Sequence, residues 1–170
     1  NPDARAIIIS GIKELCTNYP TLSGIHLDDY FYPYPVADAE DFADDVSYEK
    51  YGAGMNRANW RRNNVNKFVK EAYDTVKGIN AEMRFGVSPF GIWANDTSNT
   101  PTTGSASNGM EAYSALYCDA LAWVNGGYVD CASMRYNVVR VSDNTILASD
   151  LSETTFVDNS IAELGRYRYA

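Results

Sequence analysis

Two hydrophobic periodicities alternate along the chain as far as about residue 130, and that alternation restricts its fold more than any other feature. Ile7, Ile8, Ile12, Leu15 and Cys16 recur at helical spacing, and Val65, Phe68, Val69, Ala72, Val76 and Ile79 form a second helical stripe. Between them Ile25 and Leu27 alternate with His26 and Asp28, the period of two that marks a strand. Phe85 and Val87 alternate with Gly86 and Ser88 in the same way. The pattern predicts helices over 2–18, 59–78 and 110–125 and strands over 22–29, 84–89 and 128–133. Helix and strand taken in turn specify parallel βα units. Asn1 and Pro2 suit the N-cap and first position of the first helix, and Asp3 complements its dipole. In the third helix Tyr113, Leu116, Tyr117, Leu121 and Val124 form the expected buried side, and Gly126-Gly127 ends it.

The first strand ends in Asp28-Asp29 and empties into Tyr30-Phe31-Tyr32-Pro33-Tyr34. A strand that finishes in carboxylates and opens into an aromatic loop suits the active-site end of a (β/α) barrel strand. The plainer reading is a solvated Asp pair capping a loop. Counted from Ile25 and Leu27, Asp28 projects away from the helices, while Asp29 projects toward them and is read as a loop anchor. Glycoside hydrolysis uses one carboxyl group as acid and a second as nucleophile or base. Asp28 is the candidate for the ionised member. His26 could donate to Asp28 or to a sugar hydroxyl, or be a satisfied core histidine, and Asp29 completes the candidate catalytic set. Tyr30, Tyr32, Tyr34 and Trp93 offer flat faces for sugar rings. Ser88, Phe90, Asn95 and Arg61 complete the candidate substrate-binding set.

With the second helix expected to start at residue 59, Arg61 and Arg62 are read as lying in its first turn, where cations oppose the dipole. They are expected either to reach a ligand or to pair with the acidic loop 32–58, which holds Asp38, Glu40, Asp41, Asp44 and Asp45. That loop matches no EF-hand spacing and reads as solvated. The second strand offers no carboxylate. Asp96, after Trp93, is the nearest alternative in this chain, and the acid could equally lie outside it.

His26-Leu27-Asp28-Asp29-Tyr30-Phe31-Tyr32-Pro33-Tyr34 resembles the signature of glycosyl-hydrolase-like family ten, a group of bacterial TIM-barrel proteins. The resemblance continues in Asn1-Pro2-Asp3-Ala4-Arg5, in Trp60-Arg61-Arg62-Asn63-Asn64-Val65-Asn66 and in Phe85-Gly86-Val87-Ser88-Pro89-Phe90-Gly91-Ile92-Trp93. It runs from residue 1 to about residue 130. It implies an α/β fold that is a partial TIM barrel, approximately strands four to six, with residues 1–132 as its central part and 133–170 as a divergent tail. It also implies an O-glycosyl hydrolase of the cell envelope, extracellular or periplasmic. The implied substrate is a bacterial polysaccharide such as the glycan strands of peptidoglycan, and this piece alone is expected to be inactive. A sugar-binding barrel module without catalysis, or an inactive fragment, is the alternative. At the sixth strand the family carries Pro-Gln and an aromatic pair, whereas this chain has Ser133-Met134-Arg135-Tyr136-Asn137. Beyond it, residues 138–147 read as a hairpin around Asp143-Asn144 and 157–168 as a short helix.

Size and charge narrow the classes further. A full TIM barrel takes roughly 250 residues, and this chain has 170. Because it opens on a helix cap, it is expected to be part of something longer. A net charge of −8 lacks the basic footprint that nucleic acid requires and does not argue against a neutral glycan partner. One histidine is too few for a metallohydrolase site, and no phosphate loop, dinucleotide fingerprint or Gly-x-Ser-x-Gly elbow is present, so neither metal nor cofactor is implied. Cys16, Cys118 and Cys131 lack metal-ligand spacing and are expected to be buried thiols. No apolar run is long enough to span a membrane. The open edges of a partial barrel predict low stability or self-association.

Overall fold

The computed structural model describes residues 1–28, 31–38, 41–96, 104, 105, 107–132, 136–140 and 145–151, with the strands at 131–132, 136–140 and 145–151 given as backbone. Asp29, Tyr30, the Cys131 side chain and the helix expected over 157–168 lie outside the described residues.

Helix α1, Pro2–Asn18, begins as its cap residues dictate, with the Asn1 side chain accepting from the Asp3 amide at 2.9 Å. It packs on α3, Arg57–Ile79, whose N-cap Asn56 accepts from the Asn59 amide. The apolar stripe of α1 is only partly used. Ile12 and Cys16 enter the core, while Ile7 and Ile8 remain 74% and 53% exposed. Strands β1, Gly24–Asp28, β2, Arg84–Ser88, and β3, Cys131–Ala132, form one parallel sheet in that order. Each is shorter than its apolar pattern suggests. At Gly24 the strands approach so closely that a Cβ would stand 2.5 Å from the Arg84 carbonyl oxygen.

The core lies on one face of this sheet. Phe85 and Val87 of β2 meet Val65, Val69, Ala72 and Val76 of α3, together with Trp123. Asp130 ties the start of β3 to β2. Its amide donates to the Phe85 carbonyl and its carboxylate accepts from the Phe85 amide, both at 2.8 Å, while Lys77 Nζ reaches the same carboxylate at 2.7 Å.

Two expectations are corrected. The region 32–58 is not all loop, because Asp45–Tyr51 forms a helix, α2. Too short to show a stripe, α2 is held from outside by the Arg57–Asp45 ion pair and by Tyr48 against Trp60. The third helix is two: α4, Ala112–Ala115, and α5, Ala120–Gly126. Tyr117 between them adopts φ +54°, a conformation that costs a non-glycine residue on the order of 1–3 kcal/mol. Asp119 then restarts the helix as an N-cap, accepting from the Ala122 amide. The break rotates α5, so Ala120 and Trp123 face inward while Leu121 and Val124 face solvent. Gly127 closes α5 in the left-handed conformation, as Gly126-Gly127 predicts. The expected hairpin is present as β4, Tyr136–Arg140, antiparallel to β5, Thr145–Leu151, in a sheet of its own.

Candidate active site at the carboxyl end of the parallel sheet

The register of β1 on β2 pairs His26 with Gly86 and Asp28 with Ser88. Side chains alternate across a strand, so His26, Asp28 and Ser88 share the face opposite Phe85 and Val87. His26 and Asp28 are exposed and Ser88 is half-buried. His26 Nε2 lies 2.8 Å from Ser88 Oγ, across the two strands. The histidine is therefore not a core residue. It is held by a hydroxyl that sequence reasoning had assigned to substrate. A carboxylate, an imidazole and a hydroxyl thus sit together at the carboxyl end of parallel strands, able to accept from and donate to the hydroxyls of a polar ligand.

The loop after β1 supplies aromatic rings. Phe31 turns into the core against Phe68 and Trp123. Tyr34 meets Phe90, two residues beyond Ser88, edge to face at 5.9 Å. Tyr32 stands edge-on to Phe42 at 5.4 Å and to Tyr117 at 5.2 Å. Tyr32 and Tyr34 together line a cleft of about 610 Å³ with Asp41, Phe42 and Tyr117. Burial raises the Tyr32 phenol above its ordinary pKa. Trp93 is half-buried; its Nε1 donates to Asp119 Oδ1 at 3.1 Å and its ring meets Tyr113 edge-on. Beside it, burial and the Asp119 charge push the Cys118 thiol up to about 12.

Arg61 holds the acidic loop. Its side chain is 1% exposed. Nε and Nη2 grip both oxygens of buried Asp44 at 2.7 and 2.8 Å. Nη2 also donates to Asp41 Oδ2 at 3.0 Å and to the Phe42 carbonyl at 3.2 Å, and Nη1 donates to the Tyr117 hydroxyl at 2.8 Å. The Asp44 hydrogen bonds outweigh burial and keep the guanidinium firmly charged. Arg61 in turn holds the Asp41 carboxyl below the usual carboxylate range. Of its two expected roles, Arg61 takes the pairing one. Arg62 donates to the Tyr113 carbonyl and lies over that ring. Asn95 is likewise an anchor: buried, it donates to the Gly109 carbonyl and to Glu111, and accepts from Ser107.

The family model described as Glycosyl hydrolase-like 10 matches residues 1–155. The chain belongs to this family. Within it, a protein named "Glycosyl hydrolase YngK" from Bacillus subtilis (strain 168) is 40% identical over 131 residues, 76% of this chain and 25% of that protein. Proteins named "Glycosyl hydrolase DigH" are similar at 37% identity in Escherichia coli O6:H1 and 36% in Escherichia coli K12, each over 130 residues, 76% of this chain and 28% of theirs. This glycosyl hydrolase-like chain therefore spans about a quarter of the length of the curated relatives it matches. Among the described residues, no helix is long and apolar enough to cross a membrane.

For this family member, the structure brings Asp28, His26 and Ser88 onto one face and sets Tyr34 against Phe90 just beyond it. Trp93, Asn95 and Arg61 are fixed by partners of their own. Sequence reasoning missed Asp41, Phe42 and Tyr117 as neighbours of the tyrosines. The one local signal was Asp119, an N-cap residue that argued for a helix start after Tyr117.

Proposed function

We propose that this chain is the central part, approximately strands four to six, of a (β/α) barrel that hydrolyses O-glycosidic bonds in a bacterial polysaccharide at the cell envelope. Cell-wall glycan strands are the favoured substrate. The observation that supports this most is the placement of Asp28. It lies on the exposed polar face of a parallel sheet, opposite Ser88 and one pleat beyond His26, at the end where barrel active sites sit. Asp28 acts as nucleophile or base, stabilising the positive charge of an oxocarbenium-like transition state. His26 and Ser88 orient sugar hydroxyls. Tyr34 and Phe90 stack on the ring, with Trp93 as a further platform. The residue facing Asp28 on β2 is Ser88, so the second carboxyl group comes from the loop after β2, where Asp96 stands, or from another strand.

The test is Asp28→Asn in the complete protein, assayed by release of reducing ends from purified bacterial glycan strands. Asn keeps the shape and loses the charge, and turnover falls by about a thousandfold or more while folding and binding persist. Full activity in the variant removes Asp28 from the mechanism. The same Ser88, standing where a partner carboxylate could be, favours a second reading, a sugar-binding module. Glycan binding by a wild type that cleaves none of the glycans tried would select it.

A further inference from the structure

We propose that the cleft bounded by Tyr32, Tyr34, Phe42 and Tyr117 is a separate sugar subsite beside the Asp28 face, and that Arg61 sets its walls from beneath. This rests on the reading of the chain as glycan-acting and adds where a second part of the glycan binds.

The cleft has the size of a small-molecule site. Its volume is about 610 Å³, inside the roughly 300–1,000 Å³ usual for such sites. Its walls are aromatic. Tyr32 meets Phe42 and Tyr117 at interplanar angles of 87° and 75°. In that edge-on packing no two rings stack face to face, and Arg61 lies over one face of Tyr32 and of Tyr117, so a pyranose lies with its C–H face against the ring faces turned to the cleft.

The polar groups fit the same occupant. Asp41 lines the cleft with its side chain 68% exposed. A carboxylate has about four lone-pair sites; Arg61 Nη1 and Nη2 and the Phe42 amide take three of those on Asp41, which leaves room to accept from one sugar hydroxyl. Asp41 and Asp44 more than offset the charge of Arg61, and Asp44 is shared with Arg57. The cleft therefore presents no unmatched cation to an anion, and the occupant it fits is a neutral pyranose.

The walls are pre-set by one buried group. The planar Arg61 guanidinium holds Asp41, the Phe42 backbone and the Tyr117 hydroxyl together. Tyr117 reaches it from a left-handed backbone that breaks the helix. The subsite is continuous with the Asp28 face, because Tyr34 lines the cleft and also meets Phe90, which follows β2.

The experiment measures binding of purified bacterial glycan fragments by calorimetry in the complete protein carrying Asp28→Asn, with a disaccharide and a long oligosaccharide as probes. Phe42→Ala is the first variant. Phe42 is 47% exposed, so its loss does not open the core. Tyr117→Phe, which keeps the ring and removes the bond to Arg61, is the second. Phe42→Ala weakens binding of the long oligosaccharide about fivefold, the effect of one lost aromatic contact, and changes disaccharide binding far less. Tyr117→Phe shows a smaller loss with the same dependence on length. Unchanged affinity, or an equal loss at both lengths, in a protein whose Asp28 form cleaves glycan overturns the subsite and leaves the hydrolase reading standing. A protein that neither binds nor cleaves any glycan overturns both.

Discussion

His26 Nε2 and Ser88 Oγ stand 2.8 Å apart across the parallel pair β1–β2, and the register puts Asp28 opposite Ser88, one pleat beyond His26. The bond joins two strands that are 62 residues apart in sequence, so the hydroxyl fixes where the imidazole points relative to Asp28. Ser88→Ala removes that restraint at a site with little buried surface. It should lower turnover about five- to tenfold, the range of one hydrogen bond, and leave stability within about 0.5 kcal/mol. Ser88→Thr, which keeps the hydroxyl, should recover most of the rate. Reducing-end release and a melting curve for each variant check this, and a fall in melting temperature with unchanged turnover would assign the pair to the fold alone.

Arg61 and Asp44 behave oppositely to that exposed pair. Their side chains are 1% and 5% exposed and joined by two hydrogen bonds. Arg61→Leu leaves the Asp44 charge buried without its main partner, at a cost of about 3–5 kcal/mol. Arg61→Lys should fall between, because an ammonium cannot reproduce the two-pronged grip. Asp41→Asn, at the exposed end of the same network, should cost under about 1 kcal/mol. Urea midpoints of the variants, taken at one pH, order these effects; equal midpoints for Arg61→Leu and wild type would sink the argument.

Elements built on a long stripe with a local cap were legible in the sequence. Helices α1 and α3, the parallel order of three strands and the β4–β5 hairpin all follow from periodicity plus Asn1 and turn residues, although α3 starts two residues earlier than its stripe predicts, because Asn56 caps it. The common face of His26, Asp28 and Ser88 was legible too, because strand alternation needs no tertiary information. What escaped depends on distant partners. Helix α2 exists through Arg57 and Trp60. A positive φ at Tyr117 has no signature in a residue that reads as part of a helix. The stripe of α1 predicts burial for Ile7 and Ile8, yet only its Ile12–Cys16 side enters the core. Arg61 had two roles open until Asp44 and Tyr117 were placed around it.

Asp130 makes a pH dependence that can be isolated. Burial pushes its carboxyl up, but hydrogen bonds from Lys77 and the Phe85 amide, with the charges of Lys77 and Arg84, outweigh that and hold it below the usual range. An acid depressed in the folded state adds stability that is present above its unfolded value, about 3.9. That stability is lost as pH falls through the folded value. Urea stability measured from neutral pH downward should therefore decline below about pH 4 more steeply in wild type than in Asp130→Asn. The variant should be the weaker of the two at pH 7, and the curves should converge in acid. Parallel curves would remove Asp130 from the linkage.

Trp93 separates glycan stacking from loop anchoring. Its Nε1 donates to Asp119 Oδ1, the same oxygen that caps α5 through the Ala122 amide, and its half-buried ring meets Tyr113. Trp93→Phe keeps an aromatic face and removes the donor. It should lower stability by about 1 kcal/mol and leave glycan affinity near that of wild type. Trp93→Ala removes donor and ring together, so it should cost stability more heavily and also weaken glycan binding, by about fivefold if one stacking contact is lost. Thermal melts and calorimetric titrations on both variants give the two quantities independently. If Trp93→Ala loses stability yet binds glycan as wild type does, the ring serves only to hold the loop after β2 against α5, and stacking at the Asp28 face belongs to Tyr34 and Phe90.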